Sequence, residues 1–299
     1  MNLKFSDKIL EWVHINDVES VAHFQSHIDS QNIYAKSWKN SLTPKKIFIM
    51  SHDLCQYHGS FLKFINWALK EIPELEIIAM DFVGHGQSSG TRGHLNDFEL
   101  VILDQLYLIN SLNFHDGQEV FFLGQGVGAS ILIEVYNRFG NKLKIVPKGL
   151  VLSGLLVDLQ KIQGGMNALI PESLLRFSNK IKALKYYGPL DFTNDREAAF
   201  NMESDPLMHF KPSYETLKEI KKRTQRVFQD SYFIERPILL AYGLMDPYLH
   251  QAGINFFMKG IKKELLLEKT YFHMKHDLYN EKDSEEFYLD IKNWIDQNV

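Results

Sequence analysis

The sequence predicts an α/β protein built on a mostly parallel, twisted, doubly wound sheet, and three observations carry that expectation. After Pro44 the chain holds six short, continuous apolar runs, the pattern of strands buried on both faces. Stretches with apolar residues at three-to-four spacing lie between most of them, so strands alternate with helices and right-handed crossovers follow. Ahead of Pro44, apolar and polar residues alternate with a period of two, which predicts antiparallel strands with one exposed face.

Taken in order, the alternating segments are Ile9 to Ile15, Val21 to Ile28 and Ile33 to Trp38. The buried strands are KIFIMSH (Lys46 to His52), LEIIAMD (Leu75 to Asp81), EVFFLGQ (Glu119 to Gln125), KGLVLSG (Lys148 to Gly154), RPILLAYG (Arg236 to Gly243) and KELLLEK (Lys263 to Lys269). Gly59 to Lys70 is helical by the spacing of Phe61, Phe64, Ile65 and Leu69, and Asp97 to Leu112 by that of Val101, Leu106 and Ile109. Ala129 to Phe139 follows a glycine turn, and a final helix places Phe287, Ile291 and Ile295 on one face with Asp283 at its start. Leu155 to about Phe233 contains no buried strand, so it is expected to form a helical insertion, with LLVDLQKIQ, SLLRFSNKIKALKYYG and SYETLKEIKKRTQRVFQ as amphipathic segments. The expectation is one domain over residues 1–299 with a helical cap over 155–233.

Bulk properties narrow the function. Apolar content of 45% fits a packed core and excludes disorder. A net charge of -4 with interspersed signs gives no footprint for nucleic acid. Cys55 is the single cysteine, so no intrachain disulfide forms, and no apolar run suits a signal peptide or a membrane span. These features predict a soluble, cytoplasmic protein, with peripheral membrane contact through the cap left open. The basic run Lys218 to Arg226 reads as the solvated face of a helix rather than a headgroup site. GHGQSSG (Gly84 to Gly90) lacks the lysine of a phosphate loop, His85 reads as a hydrogen-bonded structural histidine rather than a metal ligand, and His52, His58, His273 and His276 show no metal-ligand spacing. No metal and no cofactor are expected.

Ligands of open α/β sheets sit beyond the carboxyl ends of the strands. At those ends stand His52 and Asp53, Asp81, the turn Gln125-Gly126-Val127-Gly128, Ser153, Asp246 in GLMD and His276 in FHMKHDLYNE. A glycine-punctuated strand-to-helix turn, then an acid, then a histidine is the chain order of the α/β-hydrolase triad. HDLCQYHGSF, DFVGHGQSSGTRGHLNDF, LGQGVGAS, GLMDPYLH and KHDLYNE resemble successive motifs of the monoacylglycerol lipase and lysophospholipase branch of that superfamily. The resemblance runs from about Trp38 to the C-terminus and is weakest in the insertion. It implies an α/β-hydrolase fold with a cap over an acyl-chain tunnel, a monoglyceride, lysophospholipid or other single-chain ester as ligand, and no cofactor. By position it makes Asp246 the acid that orients His276, His276 the general base, and the Leu54 and Val127 amides the oxyanion hole. His52, Asp53, Leu155, Leu156 and Met166 would line the substrate site.

Two positions depart from the pattern. Gly126 sits where the family carries its nucleophilic serine, and Asp53 follows His52 where the family usually has glycine. Glycine suits the strained turn but leaves no atom to acylate. A carboxylate beside the oxyanion hole opposes the negative charge of an ester transition state. Very low ester hydrolysis is therefore expected. Ser130 lies too deep on the helix to substitute, and Cys55 reads as a small buried residue rather than a nucleophile. Two readings of Gly126 stand side by side: a working serine replaced in an esterase, or a diverged protein that binds a lipid or small ester without turnover.

Overall fold

A computed structural model describes residues 10–26, 31–95, 97–156 and 188–298. Among the described residues nine strands form one sheet: β1 (Val13–His14), β2 (Glu19–Gln25), β3 (Asn32–Lys39), β4 (Lys46–Ser51), β5 (Leu75–Met80), β6 (Glu119–Gln125), β7 (Gly149–Ser153), β8 (Ile238–Gly243) and β9 (Leu266–Tyr271). Their spatial order is β1-β2-β3-β5-β4-β6-β7-β8-β9. β1 to β3, and β3 against β5, pair antiparallel, and every other ladder is parallel. The fold class predicted from the sequence is the one observed.

The continuous apolar runs follow from helices on both faces. Successive residues of a strand point to opposite sides. Ile47, Ile49, Phe122, Leu152 and Leu240 face one core, shared with α2 (Phe98–Ser111) and α3 (Val127–Phe139). Phe48, Met50, Phe121, Leu123, Val151 and Leu239 face the other, shared with α1 (Leu62–Glu71) and the C-terminal helix, Ser284–Gln297. The ladders pair Ser51 with Gly124, Gln125 with Ser153 and Ser153 with Ala241, so the carboxyl ends of β4, β6, β7 and β8 lie level along one rim.

Several local expectations need correction. Only Val13–His14 of the first alternating segment pairs as a strand, and both residues are exposed; Ile9 and Ile28 lie outside the described residues. KELLLEK is not a strand buried on both faces. Lys263–Leu265 is a 3₁₀ turn, and among the described residues β9 pairs only with β8 and leaves its Leu267, Glu268 and Thr270 exposed. A charged, half-exposed strand suits a sheet edge. Asp97 caps α2 by accepting from Glu99 N–H, as its position suggests, whereas Asp283 occupies the cap position of the last helix without a side-chain cap bond.

Between β7 and β8 the described residues form α4 (Pro189–Phe192), α5 (Arg196–Ser204) and α6 (Tyr214–Asp230), followed after β8 by α7 (Gln251–Lys259) and α8 (Ser284–Gln297). LLVDLQKIQ beyond Leu156, and SLLRFSNKIKALKYYG before Gly188, lie outside the described residues. α6 docks through Ile220, Arg223, Thr224 and Val227. Arg223 binds Glu134 of α3 at 2.9 Å and Glu99 of α2 at 3.1 Å, and Arg138 binds the same two carboxylates. Part of the basic run is thus turned onto the body of the protein. Among the described residues, no helix is long and apolar enough to cross a membrane, and no cluster of three or more histidine, cysteine or acidic side chains is placed to hold a metal.

Candidate active site

The turn from β6 into α3 forms as its glycines require. Gly126 has φ 53°, in the left-handed region that disfavours a side chain. Its N–H donates to Ser153 O at 2.9 Å, which fixes the turn against β7. A Cβ at Gly128 would collide with the Ser51 carbonyl, so only glycine lets α3 begin this close to the end of β4. Gly126 therefore occupies a fully formed elbow with no side chain to present.

His276 and Asp246 arrive from the loops after β9 and β8. Asp246 Oδ2 accepts from His276 Nδ1 at 2.8 Å, while Asp246 Oδ1 accepts from Tyr248 N–H at 2.7 Å. The other side of the imidazole is where the chain differs from the expected pattern. Asp53 points into the site rather than away from it. Its Oδ2 accepts from His276 Nε2 at 3.0 Å, and its Oδ1 accepts from the Val127 N–H at 2.7 Å. A Cβ built on Gly126 would overlap the Asp53 carboxyl, with Oδ2 at 2.6 Å and the other carboxyl atoms closer still. The carboxyl group thus stands where the serine side chain of the resemblance would stand.

His276 and Asp53 are buried, at 0% and 2% exposure, and that makes their pairing decisive. Burial works against the imidazolium, but the Asp246 and Asp53 carboxylates outweigh it and hold His276 well above the usual histidine range. The shift favours the imidazolium, whose two ring N–H groups each meet a carboxylate.

His52, expected to line the substrate site, has both ring nitrogens engaged by backbone. Its Nδ1 donates to Asp53 O at 2.8 Å, and its Nε2 accepts from Phe82 N–H at 3.0 Å. Burial pushes its pKa down to about 3, so it stays neutral and acts as a brace for the Asp53 backbone. Leu54, Leu155 and Leu156 are buried in the apolar core at the strand ends, and Met166 lies outside the described residues. Val127 N–H, expected to be an empty oxyanion donor, is engaged by Asp53. Cys55 is buried, and burial followed by the Asp53 charge raises its thiol well above the usual range, so it is no nucleophile. Ser130 is buried on α3, and His85 is buried with Nδ1 donating to Val83 O, as expected of structural residues.

Three contacts were not read from the sequence. Tyr248 and Phe192 set their rings at 5.3 and 5.8 Å from the His276 ring, edge to face. Tyr248 follows Asp246 by two residues, a signal in GLMDPY that was available, whereas Phe192 comes from the short α4 and has no local signature. Behind His276, the buried Asp277 accepts from Gln56 Nε2 and Asn280 Nδ2, both at 2.8 Å. Burial raises its pKa to about 6.

With this geometry in place, comparisons with known proteins fall on one family. The serine aminopeptidase S33 family matches residues 43–283. Human monoglyceride lipase is 26% identical over 91% of this chain and 89% of its own length. A monkeypox virus monoglyceride lipase homolog is 24% identical over 91% of this chain and 97% of its own. Among solved structures, the monoacylglycerol lipase of Paleococcus ferrophilus superposes with a TM-score of 0.76 at 21% identity, covering 89% of this chain and 99% of that one. The fold and the matched span agree, and the chain belongs to the serine aminopeptidase S33 family of α/β-hydrolases, with monoglyceride lipases among its relatives.

Proposed function

We propose that this protein is a non-hydrolysing member of its family, one that holds a single-chain lipid or small ester at the monoglyceride-lipase position without turnover. The observation that carries the reading is the occupant of the nucleophile position: no side chain from Gly126, and the Asp53 carboxylate in its place.

Serine-type ester hydrolysis needs a hydroxyl, a neutral imidazole to take its proton, and free N–H donors for the developing oxyanion. Here the hydroxyl is absent. His276 already carries both ring protons and gives each to a carboxylate, so it has no lone pair with which to act as a base. Val127 N–H donates to an anion before any substrate arrives. Loss of the serine alone costs about 10⁶ in turnover in a comparable triad. The Asp246–His276 pair survives in a role that orders the site rather than moves protons.

A lipid ligand is supported by the monoglyceride lipase relatives and by the aromatic rings of Phe192 and Tyr248 beside His276. Asp246 and His276 keep their family places in this reading, and the single, buried Cys55 suits a reducing, cytoplasmic setting. The test combines hydrolysis of 1-monooleoylglycerol and p-nitrophenyl esters with native mass spectrometry in the presence of monoacylglycerol. Background hydrolysis with saturable ligand binding is expected. Hydrolysis above background that His276→Ala abolishes would overturn the reading, as would the absence of any bound acyl ligand.

A further inference from the structure

We infer that Asp53 is a tethered carboxylate that closes the hydrolytic centre, filling both the position of the missing hydroxyl and the anion seat at the Val127 amide, and that Gly126 is its obligate steric partner. The inference rests on the non-hydrolysing reading and adds what keeps the site closed and what would reopen it.

Both oxygens of Asp53 are matched to the two features a reacting serine ester would use. One accepts from Val127 N–H, and the other accepts from His276 Nε2. The backbone behind the side chain is held as firmly. Asp53 O accepts from His52 Nδ1 and from Gln56 N–H, and His52 is in turn fixed by Phe82 N–H. The carboxylate is therefore aimed into the site by its own loop. Gly126 is the only residue type that leaves room for it, since a Cβ there would overlap the carboxyl group. The two departures from the family pattern are one device. A serine restored at 126 meets Asp53 before it meets His276, so the single back-substitution does not restore an esterase. A free fatty-acid anion is likewise excluded from the seat by a carboxylate already in it, which favours a neutral single-chain ligand.

The test compares the unaltered protein with Gly126→Ser, Asp53→Gly and the double variant. Reaction at position 126 is read with a fluorophosphonate probe and with 1-monooleoylglycerol hydrolysis. The charge state of His276 is read by ¹⁵N NMR of its ring, which faces Asp53, Asp246 and the aromatic edge of Tyr248, with Asp277 next to it in the chain. Gly126→Ser is expected to label at background. The double variant is expected to exceed it by ~10²-fold or more, because hydroxyl and base then meet without a carboxylate between them. In Asp53→Gly the His276 titration should fall by more than about one pH unit, and formate should raise it again by occupying the vacated seat. The inference is overturned if Gly126→Ser reacts as fast as the double variant, if a folded double variant gains nothing, or if the His276 titration ignores the loss of Asp53. Should the double variant not fold, the Asp53→Gly titration and its response to formate decide the question. His276-dependent hydrolysis by the unaltered protein would instead sink the non-hydrolysing reading, whatever the variants do.

Discussion

Gly126 carries two separate penalties for any side chain. Its φ of 53° costs a non-glycine residue about 1–3 kcal/mol. Its Cβ direction is filled by a carboxyl group that is hydrogen-bonded at both oxygens. Gly126→Ala should therefore lower stability by about 2–5 kcal/mol, since the methyl group also displaces Asp53 from a buried charge pair. Urea denaturation followed by tryptophan fluorescence measures it. A loss under about 1 kcal/mol, no more than an average point substitution costs, would mean that Asp53 is free to swing aside. Asp53 also marks the limit of what residues reveal by type. The sequence shows an acid after His52 but not its direction, because that depends on the His52–Phe82 brace and on how far α3 approaches β4.

Among the elements, α6 is held by charge as much as by apolar contact. Arg223 is 5% exposed and reaches Glu134, which is fully buried, across from α3. Burial raises the Glu134 pKa, and the neighbouring arginines oppose that rise. Arg223→Ala should cost about 3 kcal/mol, because it strips a buried carboxylate of one partner, while the paired change Arg223→Met with Glu134→Gln should recover most of the loss. Thermal unfolding of the two variants separates these outcomes; equal losses in the single and the paired change would show that packing, not charge, holds α6. The strands of the parallel core were legible because helices on both faces leave continuous apolar runs, and the order of Gly126, Asp246 and His276 was legible because each stands at a strand end. The edge position of β9 was not legible, since KELLLEK is locally as apolar as an interior strand. Nor was α4, which is too short for helical periodicity yet delivers Phe192 to His276.

At the scale of the whole molecule, the buried ionisable groups set how stability follows pH. Asp277 titrates at about 6 in the fold against 3.8 in a free carboxyl. A carboxyl raised on folding contributes stability that is complete below the lower value and is lost as pH rises through the higher one. Between pH 4 and 7 this group alone should remove up to about 3 kcal/mol. His276 has the same sign: its raised pKa gives stability that is complete below the free histidine value of 6.5 and is lost as pH rises from there through the raised value. Asp277→Asn should flatten the curve between pH 4 and 6 and raise the melting temperature at pH 7. Gln56 can turn its amide to accept from the new side chain, since its Oε1 is buried without a partner among the described residues. Melting curves at pH 5 and 8 check this; a variant as pH-sensitive as the unaltered protein would rule Asp277 out as the source.

The overlap between a side chain at 126 and the Asp53 carboxyl also constrains ancestry. In a lineage that began with serine, an aspartate at 53 could not have taken its present pose until the serine was gone. Loss of the nucleophile comes first and the carboxylate second, and from then on neither step reverses alone. Such a pair acts as a ratchet: descendants of this protein would regain an esterase only by crossing an intermediate with a clash or with a bare elbow, and reconstructed ancestors should contain glycine at 126 before aspartate at 53.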